Sequence, residues 1–268
     1  MSPFVHIIIC CVILIFTISL KKQPKSVSIY EFFSDSQKES YTNTNTNTNA
    51  NKITTAIAVN DLKYGSFNQV DLDLTQNHII KSFPLPLPLY DLQPSTKNLS
   101  VETLKELDFI LEMSNGVTNK QKISVDKYEK DIFGEFILYC KTNRLLYDLP
   151  YLERVRDDIK CLCYQLKFIY NRPRPYQLGY YVGRLIIPRP VINSSTPSYP
   201  SYSTLLSKTL ANVLSYNNPG NANDLQTIAK EVELSRLLGG FNYPSDNKAS
   251  IEIASIVKKY IKYYEKLK

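Results

Sequence analysis

From Ser100 to the C-terminus, apolar side chains return every three or four positions, the period of helices that keep one face in a core. Ser100 is placed to cap a helix in which Leu104, Leu107, Ile110 and Leu111 share a face. A second helix is predicted over 125–147, with Ile132, Phe136 and Tyr139 inward. Asp148 and Pro150 signal the start of a third, whose stripe of Leu152, Val155, Ile159, Leu162 and Leu166 carries Lys167 into the last turn. Pro173 and Pro175 are expected to stop that helix, leaving Arg174 on a rigid corner. Residues 176–190, with Tyr180, Tyr181, Leu185 and Ile186, read as a loop or short hairpin able to cover a site. A further helix should start after Pro200 and Ser201 and run through Tyr216. The next runs from Asp224, with Leu225, Ile228, Ala229 and Val232 inward, and closes at Gly239-Gly240. A last amphipathic helix over 245–267 buries Ile253, Ile256, Val257, Tyr260 and Ile261. The body is therefore expected to be all-α, and no internal repeat is evident.

The pattern before Ser100 is different. Phe4 to Leu20 is a predominantly apolar run followed by Lys21, Lys22 and Lys25, just long enough to span a bilayer as a helix. It reads as a single-pass anchor, because positive charge before the run and a small-residue cleavage site after it are both missing; a secretory signal is the alternative. The lysines after the run place the body on the cytoplasmic side by the positive-inside tendency. Residues 41–52 alternate Asn and Thr, too polar to bury. Residues 83–89 alternate proline with leucine and favour an extended strap against the body, or a recognition site for a proline-binding module. Three regions result: an anchor over 1–25, a low-complexity and Pro-rich stalk over 26–99, and a helical domain over 100–268.

Composition narrows the chemistry. The 268 residues are 43% hydrophobic, enough for one sizeable core. The net charge of +7 suits an anionic membrane surface or phosphorylated ligands, while the dispersion of the basic residues and the lack of a motif argue against nucleic acid. The two histidines, His6 and His78, precede the helical domain, so no histidine pair can act within it. Cys140, Cys161 and Cys163 look like buried thiols rather than a disulfide framework. With no cysteine or histidine cluster at ligand spacing, neither a metal nor another cofactor is expected. Asn98-Leu-Ser and Asn193-Ser-Ser are glycosylation sequons only if the body is luminal.

Three polar clusters interrupt the helical pattern. The first has Lys167, six residues, then Arg174-Pro175; the second is Pro197-Ser-Tyr-Pro-Ser201-Tyr202-Ser203-Thr204; the third has Ser235-Arg236, five residues, Asn242, three residues, Asp246. A lysine, two arginines and a serine gathered at helix ends would bind a tetrahedral oxyanion, since guanidinium forks and an ammonium match its charge and geometry. The N-terminus of the helix after Ser201 adds backbone N–H groups and a positive dipole end. Arg172 is a second nearby cation, read as a surface residue or a structural ion-pair member.

In order and spacing, these clusters resemble the signature of the type 2 phosphatidic acid phosphatase and vanadium haloperoxidase superfamily, over about 80 residues. The resemblance implies a helical bundle of that kind and a phosphate site formed by Lys167, Arg174, Ser201, Tyr202 and Arg236. It places Asn242 where the family has its nucleophilic histidine, Ser203 where it has its acid histidine, and Asp246 where an aspartate orients the nucleophile. Both reactive histidines are thus replaced, and Tyr202 stands for a glycine. An imidazole near neutral pH supplies a lone pair or a proton as required; an amide and an unactivated hydroxyl do not. Asp246 is then expected to cap the final helix or pair with Arg236. The expected protein is a membrane-tethered pseudophosphatase that binds phosphate, a phosphorylated small molecule or a lipid headgroup. The rival is an active acid or lipid phosphate phosphatase acting on phosphomonoesters; the third reading is a scaffold in which acids neutralise the cations.

Overall fold

The computed structural model describes residues 58–65, 97–189 and 196–265. The apolar run 4–20, the Asn/Thr tract, the Pro-Leu strap, the sequon at Asn193 and both histidines lie outside the described residues. Among the described residues every regular element is helical, as the apolar period predicts, and no helix is long and apolar enough to cross a membrane.

Helix α1 (Val101–Asn115) is capped by Ser100, whose Oγ accepts from the Thr103 N–H at 3.2 Å. Two helices stand where one is predicted over 125–147: α2 (Asn119–Lys130) and α3 (Ile132–Thr142). The break falls at Asp131, which is extended at φ −162° and accepts the Gly134 N–H on its carboxylate at 2.9 Å. A short acidic side chain that binds backbone in this way competes with helix continuation and starts a new helix instead. Arg144, at φ 56°, then turns the chain toward α4 (Leu149–Tyr170), which Asp148 caps through the Tyr151 N–H.

Asn171, not a proline, closes α4: it sits in the left-handed region at φ 45° and returns its N–H to the Lys167 carbonyl at 2.8 Å. Pro175 then opens a helix, α5 (Pro175–Tyr181), where a loop or hairpin is predicted. A proline at the first helical position costs no hydrogen bond, and the Gln177 side chain accepts the Arg174 N–H at 2.8 Å. The return strand of a hairpin does not form; instead Gly179 lets the Arg184 carbonyl approach so closely that a Cβ there would lie 2.4 Å from it.

Helix α6 (Tyr202–Asn217) lies at the centre and packs against α4, α7 (Ala222–Leu238) and α8 (Pro244–Glu265). Its Leu205, Leu206, Leu210, Ala211, Val213 and Leu214 are all buried, so it is apolar around most of its circumference, as a core helix must be. The predicted inward residues of α4 share that core, and Cys140, Cys161 and Cys163 are buried thiols outside any disulfide. A second core joins Leu107 and Ile110 of α1, Tyr176 and Leu178 of α5, Ile186 and Tyr243. Val59, from the predicted stalk, is part of it. Asn98 donates to the Val59 and Leu62 carbonyls at 3.0 and 2.8 Å, and Tyr64 N–H donates to the Asn171 carbonyl, which ties 58–64 to the end of α4.

Candidate functional site

Helix ends from across the bundle meet at one cavity of about 200 Å³. The last turn of α4 brings Lys167, the residue before α5 brings Arg174, the first turn of α6 brings Tyr202 and Ser203, the last turn of α7 brings Arg236, and the α7–α8 turn brings Asn242. That turn depends on its glycines. Gly240 takes φ 69° so that the Phe241 N–H can return to the Arg236 carbonyl at 3.0 Å, and a Cβ on Gly239 would collide with the Phe241 ring. Arg236 in turn lies over the Phe241 ring, 4.4 Å from its centroid.

The cationic side chains are buried and held by acceptors. Arg174, 3% exposed, donates from Nε to the Thr196 carbonyl (2.8 Å) and from Nη1 to the Phe241 carbonyl (2.8 Å) and Asn242 Oδ1 (3.3 Å). Arg236, 4% exposed, donates from Nε to the same Asn242 Oδ1 at 3.4 Å and pairs through Nη1 with Glu129 of α2. Lys167, 1% exposed, donates to the Pro197 carbonyl and, at 3.4 Å, to that of Ser198. Burial, reinforced by the Arg174 guanidinium, pushes the Lys167 ammonium down to about 7. Arg236 is also drawn below its ordinary value by burial, with Glu129 opposing. Among the lining residues Lys130, Arg156, Lys167, Arg174 and Arg236 face only two carboxylate residues, Glu129 and Asp131, and an oxyanion would offset part of the remaining positive charge.

Asn242 joins the cavity to a buried polar network. Its Nδ2 donates to the Ser198 carbonyl (2.7 Å) and to Asp246 Oδ2 (3.2 Å). The same Asp246 oxygen accepts from Ser198 Oγ and the Tyr243 N–H (2.8 Å), and Oδ1 accepts from Arg172 Nη1 at 2.6 Å. Asp246 therefore touches Asn242 and caps α8, but its ion pair is with Arg172 and not with Arg236 as expected. Arg172 is 7% exposed, also bound to Glu106 at 3.1 Å and stacked over Tyr243. It is a structural ion-pair member: burial works against its charge, and Asp246 and Glu106 outweigh it and hold the guanidinium above its ordinary value.

Lys167, Arg174, Tyr202, Ser203, Arg236 and Asn242 are brought together on one wall system. Ser201 is not brought to that wall. Its Oγ accepts the Thr204 N–H (3.4 Å) and donates to Thr204 Oγ1 (3.0 Å), the bonding of a helix cap. Tyr202 fills the space a glycine would leave open and meets Tyr164 edge-on, 6.3 Å between ring centroids. Glu129, Thr196 and Tyr128 also line the cavity and were not singled out from the sequence. Glu129 follows a tyrosine on a polar helix, a context that carries no signal of its own. Among the described residues no group of His, Cys, Asp and Glu is arranged to hold a metal ion.

Comparison with protein families and with curated proteins finds no match. Among solved structures, the chain is similar to a bacterial vanadium-dependent iodoperoxidase, with a TM-score of 0.49 and 14% identity. The similarity covers 69% of this chain and 53% of that one, so the chain spans about half the length of that protein.

Proposed function

We propose that the helical domain is a pseudophosphatase: a phosphate-type oxyanion receptor without the groups that break the phosphoester bond. One observation carries this reading, the convergence of Lys167, Arg174 and Arg236, none more than 4% exposed, on a cavity lined also by Asn242 and Ser203, where the resemblance would have its reactive histidines. Three buried cations, with Lys130 and Arg156 beside them and only Glu129 and Asp131 as wall carboxylates, are costly unless a further anion joins them. At about 200 Å³ the cavity admits a tetrahedral oxyanion with a few waters at ~30 Å³ each, or a small phosphorylated headgroup. Loss of a general acid costs on the order of 10² to 10⁴ in rate, and loss of a covalent nucleophile on the order of 10⁶. The apolar run at residues 4–20 would tether the domain to a membrane.

The test pairs binding with turnover. Orthophosphate at millimolar concentration should raise the melting temperature of the wild-type protein and not that of Arg174→Ala. A fluorogenic phosphomonoester should be hydrolysed no faster by wild type than by Arg174→Ala. Turnover clearly above that variant would establish the active phosphatase instead, and a melting temperature indifferent to phosphate would leave only a scaffold.

A further inference from the structure

The orientation of the Asn242 side chain is fixed by its neighbours on both sides. Its nitrogen faces a carbonyl at 2.7 Å and a carboxylate at 3.2 Å, both acceptors. Its oxygen faces two guanidiniums, Arg174 Nη1 at 3.3 Å and Arg236 Nε at 3.4 Å, both donors. Turning the amide over would set N–H against guanidinium and oxygen against Asp246, so four contacts enforce one orientation. The consequence lies on the cavity side. An anion that draws the two guanidiniums onto itself frees Asn242 Oδ1 and meets, between them, a hydrogen-bond acceptor that cannot become a donor, because the two acceptors on the nitrogen side still hold the amide.

We propose that Asn242 makes the cage selective for oxyanions that carry an O–H, chiefly inorganic orthophosphate, over fully deprotonated oxyanions of the same size and charge. This rests on the oxyanion reading of the site and adds its ligand class. Glu129 supports it, because its carboxylate on the same wall is a second acceptor bound to Arg236. A sulfate oxygen placed against either acceptor has only lone pairs to offer. A monohydrogen phosphate donates its proton there and accepts from the guanidiniums with its other oxygens. Sites built around a substrate hydroxyl reject analogues that lack it, because a buried acceptor is left facing an acceptor. Dianionic phosphomonoesters also lack the proton, so the selectivity separates free phosphate from an esterified headgroup.

The test is calorimetric titration of the full chain with orthophosphate, sulfate and methyl phosphate at about pH 8, where all three are mainly dianions and only orthophosphate keeps an O–H. Orthophosphate should bind at least about tenfold tighter than sulfate, with methyl phosphate grouping with sulfate. In Asn242→Leu, which removes the acceptor, the preference should shrink by at least about threefold, Glu129 supplying what remains. Equal affinities for orthophosphate and sulfate, methyl phosphate grouping with orthophosphate, or an undiminished preference in a folded Asn242→Leu protein would each overturn the proposal while leaving the cage intact. Binding of none of the three would instead remove the cage reading itself. Should Asn242→Leu not fold, the three wild-type affinities decide alone.

Discussion

Lys167 keeps two carbonyl acceptors, yet burial and the neighbouring Arg174 bring its ammonium down to about 7 from an ordinary 10.5. Between those two values the unfolded chain holds a proton that the folded chain has released. Its contribution therefore opposes folding most below pH 7, and the opposition fades as pH rises toward 10.5. Anion binding runs the other way, because an oxyanion favours the charged amine. Sulfate, which exchanges no proton near neutrality, should bind most tightly below pH 7 and weaken above it, by up to about tenfold per pH unit. Calorimetry on wild type and Lys167→Met checks this: the variant should bind more weakly and lose the slope. A slope that survives the substitution would assign the titration to another group.

At the scale of the helix, Ser201 separates support from contact. Its hydroxyl caps α6, the central helix, and the cavity wall begins one residue later at Tyr202. Ser201→Ala should lower stability by about 1 kcal/mol, the usual loss of a serine cap, with sulfate affinity changed by less than about twofold. A denaturation curve and a titration on the same variant test both halves, and a large loss of affinity at unchanged stability would return Ser201 to the anion. Helix ends of this kind were legible where a cap is written in local sequence, as at Ser100, Asp148 and Gly239-Gly240. Asp131 escaped because the apolar stripe of Ile132 and Phe136 continues the period across it, and only the carboxylate's bond to Gly134 marks the break. α5 escaped because Pro173 and Pro175 read as breakers, whereas Pro175 occupies the one helical position where a proline is at ease.

Across the whole molecule, the cage cations were legible because each sits at a helix end and the three clusters keep a definite order. Their partners were not, because long-range packing sets them: Glu129 reaches Arg236 across 107 residues and Asp246 reaches Arg172 across 74. Both pairings bear on whether the fold could still support chemistry. Asp246 already accepts from the side chain at 242, and both cage arginines already face that side chain's far edge. An imidazole at 242 could keep the contact to Asp246 through Nδ1–H and present Nε2 to an anion between the arginines. An imidazole at 203 would stand on the cavity wall, and removing the Tyr202 ring would clear the α6 N-terminus for backbone contact. The triple variant Asn242→His, Ser203→His, Tyr202→Gly should therefore hydrolyse a phosphomonoester at least about 100-fold faster than wild type, and adding Arg174→Ala should abolish the gain. Steady-state kinetics measure it, and the melting temperature and sulfate affinity show whether fold and cage survive. A folded, sulfate-binding triple variant without turnover would mean that Asp246, held by Arg172, Ser198 and the Tyr243 N–H, cannot also steer an imidazole.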